Sequence, residues 1–162
     1  MELPLIRLEH SSSVDELDHI RRMFREYVDF LGIDLSFQSF EDEFAGLPGE
    51  YAPPRGRLLL AMWDDSPAGC VALRELGGGC EMKRLWVRPE YRGRKVGRFL
   101  AEAVIEEARR IGYPWMRLDT LSSLAEATLL YRSLGFREIQ PYRYNPIEGA
   151  IYMELNLRQG QG

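Results

Sequence analysis

The sequence predicts an α/β (α+β) domain with a mixed, mostly antiparallel central sheet flanked by helices, in the order β-α-α-β-β-β-α-β-α-β-β. Three observations lead there. Short apolar runs at Leu58–Trp63, Ala68–Arg74 and Glu81–Arg88 are joined by tight turns, the pattern of an antiparallel meander. Two longer stretches carry apolar residues along one face of a 3.6-residue period. The chain has 162 residues, 45% of them apolar and 28% charged, which suits one globular domain with a real core and is too short for two. A single domain over 1–158 is expected, with 159–162 as a frayed tail.

Leu5 to Leu8 reads as the first strand. Ser13-Val14-Asp15-Glu16 forms a capping box for a helix with Leu17, Ile20, Phe24, Val28 and Leu31 on one side, ended by Gly32. A shorter helix is expected across Phe37 to Phe44, then a loop holding Gly49, Pro53 and Pro54. Asp64 to Pro67 and Gly77 to Gly79 make the two turns of the meander. A helix from Val96 to Ile111 buries Phe99, Leu100, Ala103, Val104 and Ala108, and Gly112 and Pro114 break it before a strand at Trp115–Asp119. Ser123-Leu124-Ala125-Glu126 reads as a second capping box, for a helix with Gly135 just past its end. Phe136–Gln140 and Ile151–Leu157 supply the last strands.

The stretch Leu85-Trp86-Val87-Arg88-Pro89-Glu90-Tyr91-Arg92-Gly93-Arg94-Lys95-Val96-Gly97 carries the most chemistry. A strand runs through a glycine-bearing turn straight into a helix N-terminus, where free N–H groups and the helix dipole favour an anion. Gly93 and Gly97 allow close backbone approach, and Arg92, Arg94, Lys95 and Arg98 add charge. A phosphate-bearing ligand fits such a loop. No Gly-Lys pair occurs, which excludes a P-loop, and the dinucleotide fingerprint is missing as well.

The whole chain has 21 basic and 25 acidic side chains, a formal charge of −4, so a general nucleic-acid binder is disfavoured. Between Lys83 and Arg98 the only acid is Glu90, so positive charge is local and suits a small polyanion. No apolar run nears the ~20 residues of a membrane span, and the N-terminus lacks the form of a signal peptide. Cys70 and Cys80 lack metal-ligand spacing and read as reduced, buried thiols of a cytoplasmic protein. His10 and His19 read as surface or capping residues. No metal is expected.

With these residues in view, the Arg92–Gly97 loop resembles the acetyl-coenzyme A loop of the GNAT-type N-acetyltransferase superfamily, written Arg/Gln-x-x-Gly-x-Gly/Ala. Arg92, Gly97 and the flanking apolar positions match, while Lys95 replaces the middle glycine. Leu129-Leu130-Tyr131-Arg132-Ser133-Leu134-Gly135-Phe136 is similar to the superfamily's later Leu-Tyr-x-x-Leu-Gly-Phe segment. The element order agrees too, and the resemblance covers most of the chain from Leu58 onward.

The resemblance implies an acetyl-coenzyme A-dependent N-acetyltransferase with direct transfer to an amine in a ternary complex. Arg92, Gly93, Arg94, Lys95, Val96, Gly97 and Arg98 would hold the pyrophosphate, and Leu85, Trp86 and Val87 the pantetheine arm through their backbone. Tyr131 matches the tyrosine that protonates the leaving thiolate; the alternative is that it packs its helix on the sheet. Arg132 is either a 3′-phosphate contact or a solvated arginine. Glu81 stands where family members carry a base acting through water, and strand alternation puts it on one face with Lys83, Leu85 and Val87; the alternative is an exposed hairpin carboxylate. Asp119 is a second candidate base, or a cap for the following helix. Tyr27, Tyr51, Arg84, Tyr142, Tyr144 and Asn145 lie on segments flanking the acceptor cleft in this superfamily. Aromatics beside a basic residue suit a small amine carrying a carboxylate, such as an amino acid. A homodimer is a family expectation. The rival readings are a protein lysine or N-terminal acetyltransferase and a non-catalytic coenzyme A-binding sensor.

Overall fold

In the computed structural model, which describes residues 6–10, 13–32 and 40–158, the elements follow the expected order. They are β1 (Ile6–His10), α1 (Val14–Leu31), α2 (Phe40–Ala45), β2 (Arg57–Trp63), β3 (Ser66–Leu76), β4 (Gly79–Val87), α3 (Val96–Ile111), β5 (Trp115–Leu121), α4 (Ala125–Ser133), β6 (Arg137–Ile139) and β7 (Ala150–Asn156). Leu5 of the expected first strand, residues 37–39 of the expected second helix and the 159–162 tail lie outside the described residues. The seven strands make one sheet in the order β1-β2-β3-β4-β5-β7-β6. Every neighbouring pair is antiparallel except β4 with β5, which α3 joins as a crossover.

Local chemistry explains the helix ends. Ser13 Oγ accepts from the Glu16 amide at 3.2 Å and Glu16 Oε1 accepts from the Ser13 amide at 3.1 Å, so the first capping box forms. The second does not: α4 starts at Ala125 with Leu124 as its cap and no side-chain cap bond. Helix starts one residue later than that box requires, because the Leu124 amide is already tied to the Leu121 carbonyl at 2.9 Å. At its other end α4 closes as expected, with Gly135 at φ +104°, its amide on the Arg132 carbonyl and the Phe136 amide on the Tyr131 carbonyl. That is a Schellman motif, which needs the left-handed glycine.

The sheet separates two cores. Alternation along β2 sends Leu59 and Ala61 toward α3, where they join Val71, Leu73, Leu100 and Val104. Leu58, Leu60 and Met62 face α1, with Ile20, Met23 and Phe24. Cys70 and Cys80 are free and buried, one in each core.

One irregularity matters for everything that follows. On β3 and β4, Cys70 pairs with Trp86 but Ala72 pairs with Lys83, so β4 carries an extra residue. Arg84 sits in that bulge with φ +59°. A bulge shifts the alternation by one. Met82 therefore shares the α3 face with Leu85 and Val87, whereas Trp86 packs into the α1 core. Glu81 and Lys83, the neighbours of Met82, lie on the α1 side. The expectation that Glu81, Lys83, Leu85 and Val87 share one face is corrected by this bulge.

Candidate active site

β4 and β5 are paired only at Cys80–Met116 and Glu81–Arg117. Beyond those residues β4 runs on to Val87 and β5 to Leu121 without pairing to each other, leaving a gap through the sheet. A cleft occupies it, lined by Tyr27, Arg84, Leu85, Asp119, Tyr131 and Asn145 among others. These residues come from α1, β4, β5, α4 and the segment before β7, so the fold brings together much of what the sequence singles out.

α3 begins beside the end of β4. Lys95 caps it in the left-handed region at φ +65° with no side-chain cap bond, and Gly93 also has positive φ, at +78°. The first helical amides of any helix lack intrahelical partners, and left-handed residues before them turn N–H groups toward one point. The first turn of α3 holds no acid. A Cβ at Gly97 would find Val87 Cγ2 at 3.6 Å and Leu130 Cδ2 at 3.8 Å, ordinary contacts, so protein packing does not demand glycine there. Arg92 turns back: its Nε donates to the Val87 carbonyl at 3.2 Å and its guanidinium lies over Phe30 and Trp86. Arg94 lies over Trp63 and Tyr91, and Arg98 donates to Ser133 Oγ at 2.7 Å and to Glu102. Trp86 turns its indole away from the cleft, donating to Glu26 at 3.1 Å.

Tyr131 is 7% exposed, its ring edge against Phe136, and it lines the cleft. Burial, with Tyr27 and Asp119 near it, pushes its phenol well up, so it keeps its proton. Asp119 accepts from Asn145 Nδ2 at 3.1 Å, and its place inside β5 rules out a capping role for α4.

Glu81 is fully buried and is not an exposed hairpin carboxylate. Arg74 Nε donates to it at 2.8 Å, Tyr142 Oη at 2.7 Å, and Arg143 Nη2 makes a short contact with the same Oε2 as Tyr142. Burial alone would raise its proton affinity, but Lys83, Arg143 and the hydrogen bonds hold the carboxyl below its ordinary range. Such a group is a structural counter-charge and a poor proton acceptor.

A second cleft opens on the α1 side between α2, the turn Gly49–Tyr51 and the segment following β6. Glu43, Glu50, Arg74, Lys83, Arg143 and Tyr144 line it. Arg84, 6% exposed, is engaged there by Glu43 at 2.9 and 3.2 Å, and Tyr51 Oη donates to Glu43 at 2.6 Å. Tyr144 is 78% exposed at the rim, and Tyr142 packs on Tyr152. Lys83 lines both clefts. Its importance, and that of Arg74 and Arg143, is missed by the sequence reading. The signal for Lys83 was present, a lysine inside a buried strand. For Arg143 there was none, because its partner Glu81 lies 62 residues away.

Among the described residues no group of three His, Cys, Asp or Glu side chains is placed to hold a metal, and no helix is long and apolar enough to cross a membrane.

Comparison with known proteins agrees with this architecture. The Acetyltransferase (GNAT) family model matches residues 17–136. An uncharacterized N-acetyltransferase of Schizosaccharomyces pombe is 43% identical over 145 residues, 88% of this chain and 89% of the relative. A GNAT-family acetyltransferase of Staphylococcus aureus Mu50 superposes with TM-score 0.78 at 20% identity, covering 94% of this chain and 99% of its own. An acetyltransferase of Salmonella typhimurium, solved with its cofactor acetyl-CoA, superposes with TM-score 0.68 at 20% identity over 97% of this chain and 96% of its own.

Proposed function

Because the chain belongs to the acetyltransferase (GNAT) family and is an acetyl-coenzyme A-dependent acyltransferase, we propose that it acetylates the amine of a small molecule by direct transfer within a ternary complex. One observation carries the reading: the gap between β4 and β5 opens on a buried, protonated Tyr131, and the bare N-terminus of α3 stands beside Val87 at the end of β4 that borders that gap.

The residues present fit the donor. Free amides at the start of α3, the positive-φ pair Gly93 and Lys95, and the side-chain-free space at Gly97 make a cradle for a pyrophosphate. Arg92, Arg94 and Arg98 brace that loop, and Lys95 adds charge. The unpaired edge of β4 from Leu85 to Val87 offers main-chain groups to a pantetheine amide, and an N–H there polarises the thioester carbonyl. When bound, acetyl-coenzyme A supplies an activated acetyl group on sulfur.

Asp119 is assigned as base in place of Glu81, whose carboxylate is saturated by two guanidinium groups and a phenol. Asp119 takes one proton from the acceptor ammonium and passes it to solvent. The nitrogen then bonds to the carbonyl carbon as the carbon–sulfur bond breaks. Tyr131 gives its proton to the departing thiolate and is reprotonated from the second amine proton. No cysteine takes part, since both thiols are buried and burial pushes them up. Two free buried thiols fit the cytoplasm.

The test is thiol release from acetyl-coenzyme A against amines, amino acids, polyamines, aminoglycosides and short peptides. Release with one class of small amine is the expected result. Release with peptides alone makes the protein a lysine or N-terminal acetyltransferase. Coenzyme A binding by calorimetry without release from any acceptor makes it a sensor.

A further inference from the structure

Around the middle of β4, on the α1 side of the sheet, one cation stands outside the ion pairs, although Asp119 borders the same cleft. Three paired carboxylates, Glu43, Glu50 and Glu81, face four cations, Arg74, Lys83, Arg84 and Arg143. Each guanidinium is matched: Arg84 to Glu43, Arg74 to Glu50 and Glu81, Arg143 to Glu81. Asp42 stands at the rim of the second cleft and is exposed. Lys83 is only 8% exposed, yet among the described residues no carboxylate reaches it within ion-pair distance and nothing accepts a hydrogen bond from it. It lies where the second cleft meets the gap between β4 and β5.

A largely buried lysine whose ammonium makes no close ion pair or hydrogen bond is unfavourable, and an anionic ligand reaching it from a cleft would complete the pair. Burial, then Arg84, pushes Lys83 down to about 8, with Glu81 acting the other way. The second cleft offers a concave opening and an aromatic rim residue in Tyr144, and Lys83 also lines the cleft that holds Tyr131 and Asp119.

We propose that Lys83 anchors a carboxylate on the acceptor, so that the substrate is an amine that also carries a carboxylate, an amino acid or close analogue. The inference rests on the acetyl-transfer reading above. The carboxylate sits in the second cleft against Lys83, with Arg143 beside it, and the amine points through the gap toward Asp119. The arrangement has a catalytic consequence. Lys83 and Arg84 repel an ammonium, so they favour the neutral amine that attacks.

Thiol release is measured with the twenty amino acids, each beside its carboxamide, and with polyamines and aminoglycosides, for the wild type and for Lys83→Met and Lys83→Arg. The wild type is expected to prefer a carboxylate-bearing acceptor over its carboxamide by about 10–100-fold in kcat/KM, the usual worth of a charge-assisted hydrogen bond. In Lys83→Met that ratio collapses toward one, chiefly through KM, and Lys83→Arg restores part of it. Equal rates for acid and carboxamide in the wild type, or an unchanged ratio in Lys83→Met, would falsify the anchor while leaving acetyl transfer standing. Release only from acceptors without a carboxylate does the same. No release from any amine overturns the transfer reading and this inference with it. The wild-type comparison stands even if a Lys83 variant fails to fold.

Discussion

The two sides of the sheet are built on different principles. On the α3 side the apparatus is main chain: the amides at the start of α3, the open edge of β4, and apolar packing around Val71, Leu100 and Val104. On the α1 side it is side chain: Glu43 with Arg84, Glu81 with Arg74 and Arg143, and Lys83 among them. Backbone recognition tolerates changes of side chain, provided the turn and the strand edge persist. A charge network has no such slack, since removing one member leaves another buried without a partner. The α3 side is thus suited to one ligand shared by many proteins, and the α1 side to a ligand peculiar to one, as the proposed donor and acceptor sites require.

Four substitutions separate the sides, in decreasing size of effect. Tyr131→Phe is expected to lower kcat by about 10²–10⁴-fold, the range for a lost general acid, with coenzyme A binding by calorimetry nearly unchanged. Equal losses in both quantities would mean that Tyr131 only packs α4.

Glu81→Gln strikes the charge network, takes the paired carboxylate from Arg143 and leaves Arg74 with Glu50 alone. A loss of about 3–5 kcal/mol in denaturant unfolding is expected, the range for breaking a buried pair. The carboxyl is held below its unfolded value of about 4.3. Its contribution is therefore complete above that pH and is lost as pH falls through the lower folded value. The variant should show a shallower acid limb of stability, while its donor affinity below Tm stays near wild type. Weakened coenzyme A binding in the folded variant would show that the sides are coupled.

Gly97→Ala should push stability and affinity in opposite directions. Contacts of 3.6 and 3.8 Å leave room for a methyl, and alanine in a helix gains about 0.5–1 kcal/mol over glycine. Coenzyme A affinity should fall about tenfold, roughly 1.4 kcal/mol, as the methyl intrudes on the cradle. Lys95→Gly is expected to be smallest. Release of a left-handed residue, worth about 1–2 kcal/mol, is offset by about 0.4–1 kcal/mol of unfolded-chain entropy, and lost charge weakens the donor a few-fold.

Much of this molecule is legible in sequence because it is local. Helix stripes, the Ser13 capping box, the Gly135 stop and the Arg92–Gly97 loop depend on residues within a turn or two of each other, and so does the strand order that tight turns impose. The Ser123 box failed for the same reason that such signals are imperfect, since a competing turn bond at Leu124 decided where the helix began.

By itself, then, the chain determined the fold class and the family, and it singled out the loop and the tyrosine proposed above for the donor, all carried by short-range pattern. Only the tertiary structure decided which way β4 faces, because one extra residue at Arg84 reverses every side chain beyond it. The same reversal parts Glu81 from Leu85 and Val87 and leaves it on the α1 side, where it meets Arg74 and Arg143. It also left Lys83 beside the gap without an ion pair among the described residues, while Arg84 with Glu43 and Arg143 with Glu81 meet across 41 and 62 residues of chain that no local spacing records.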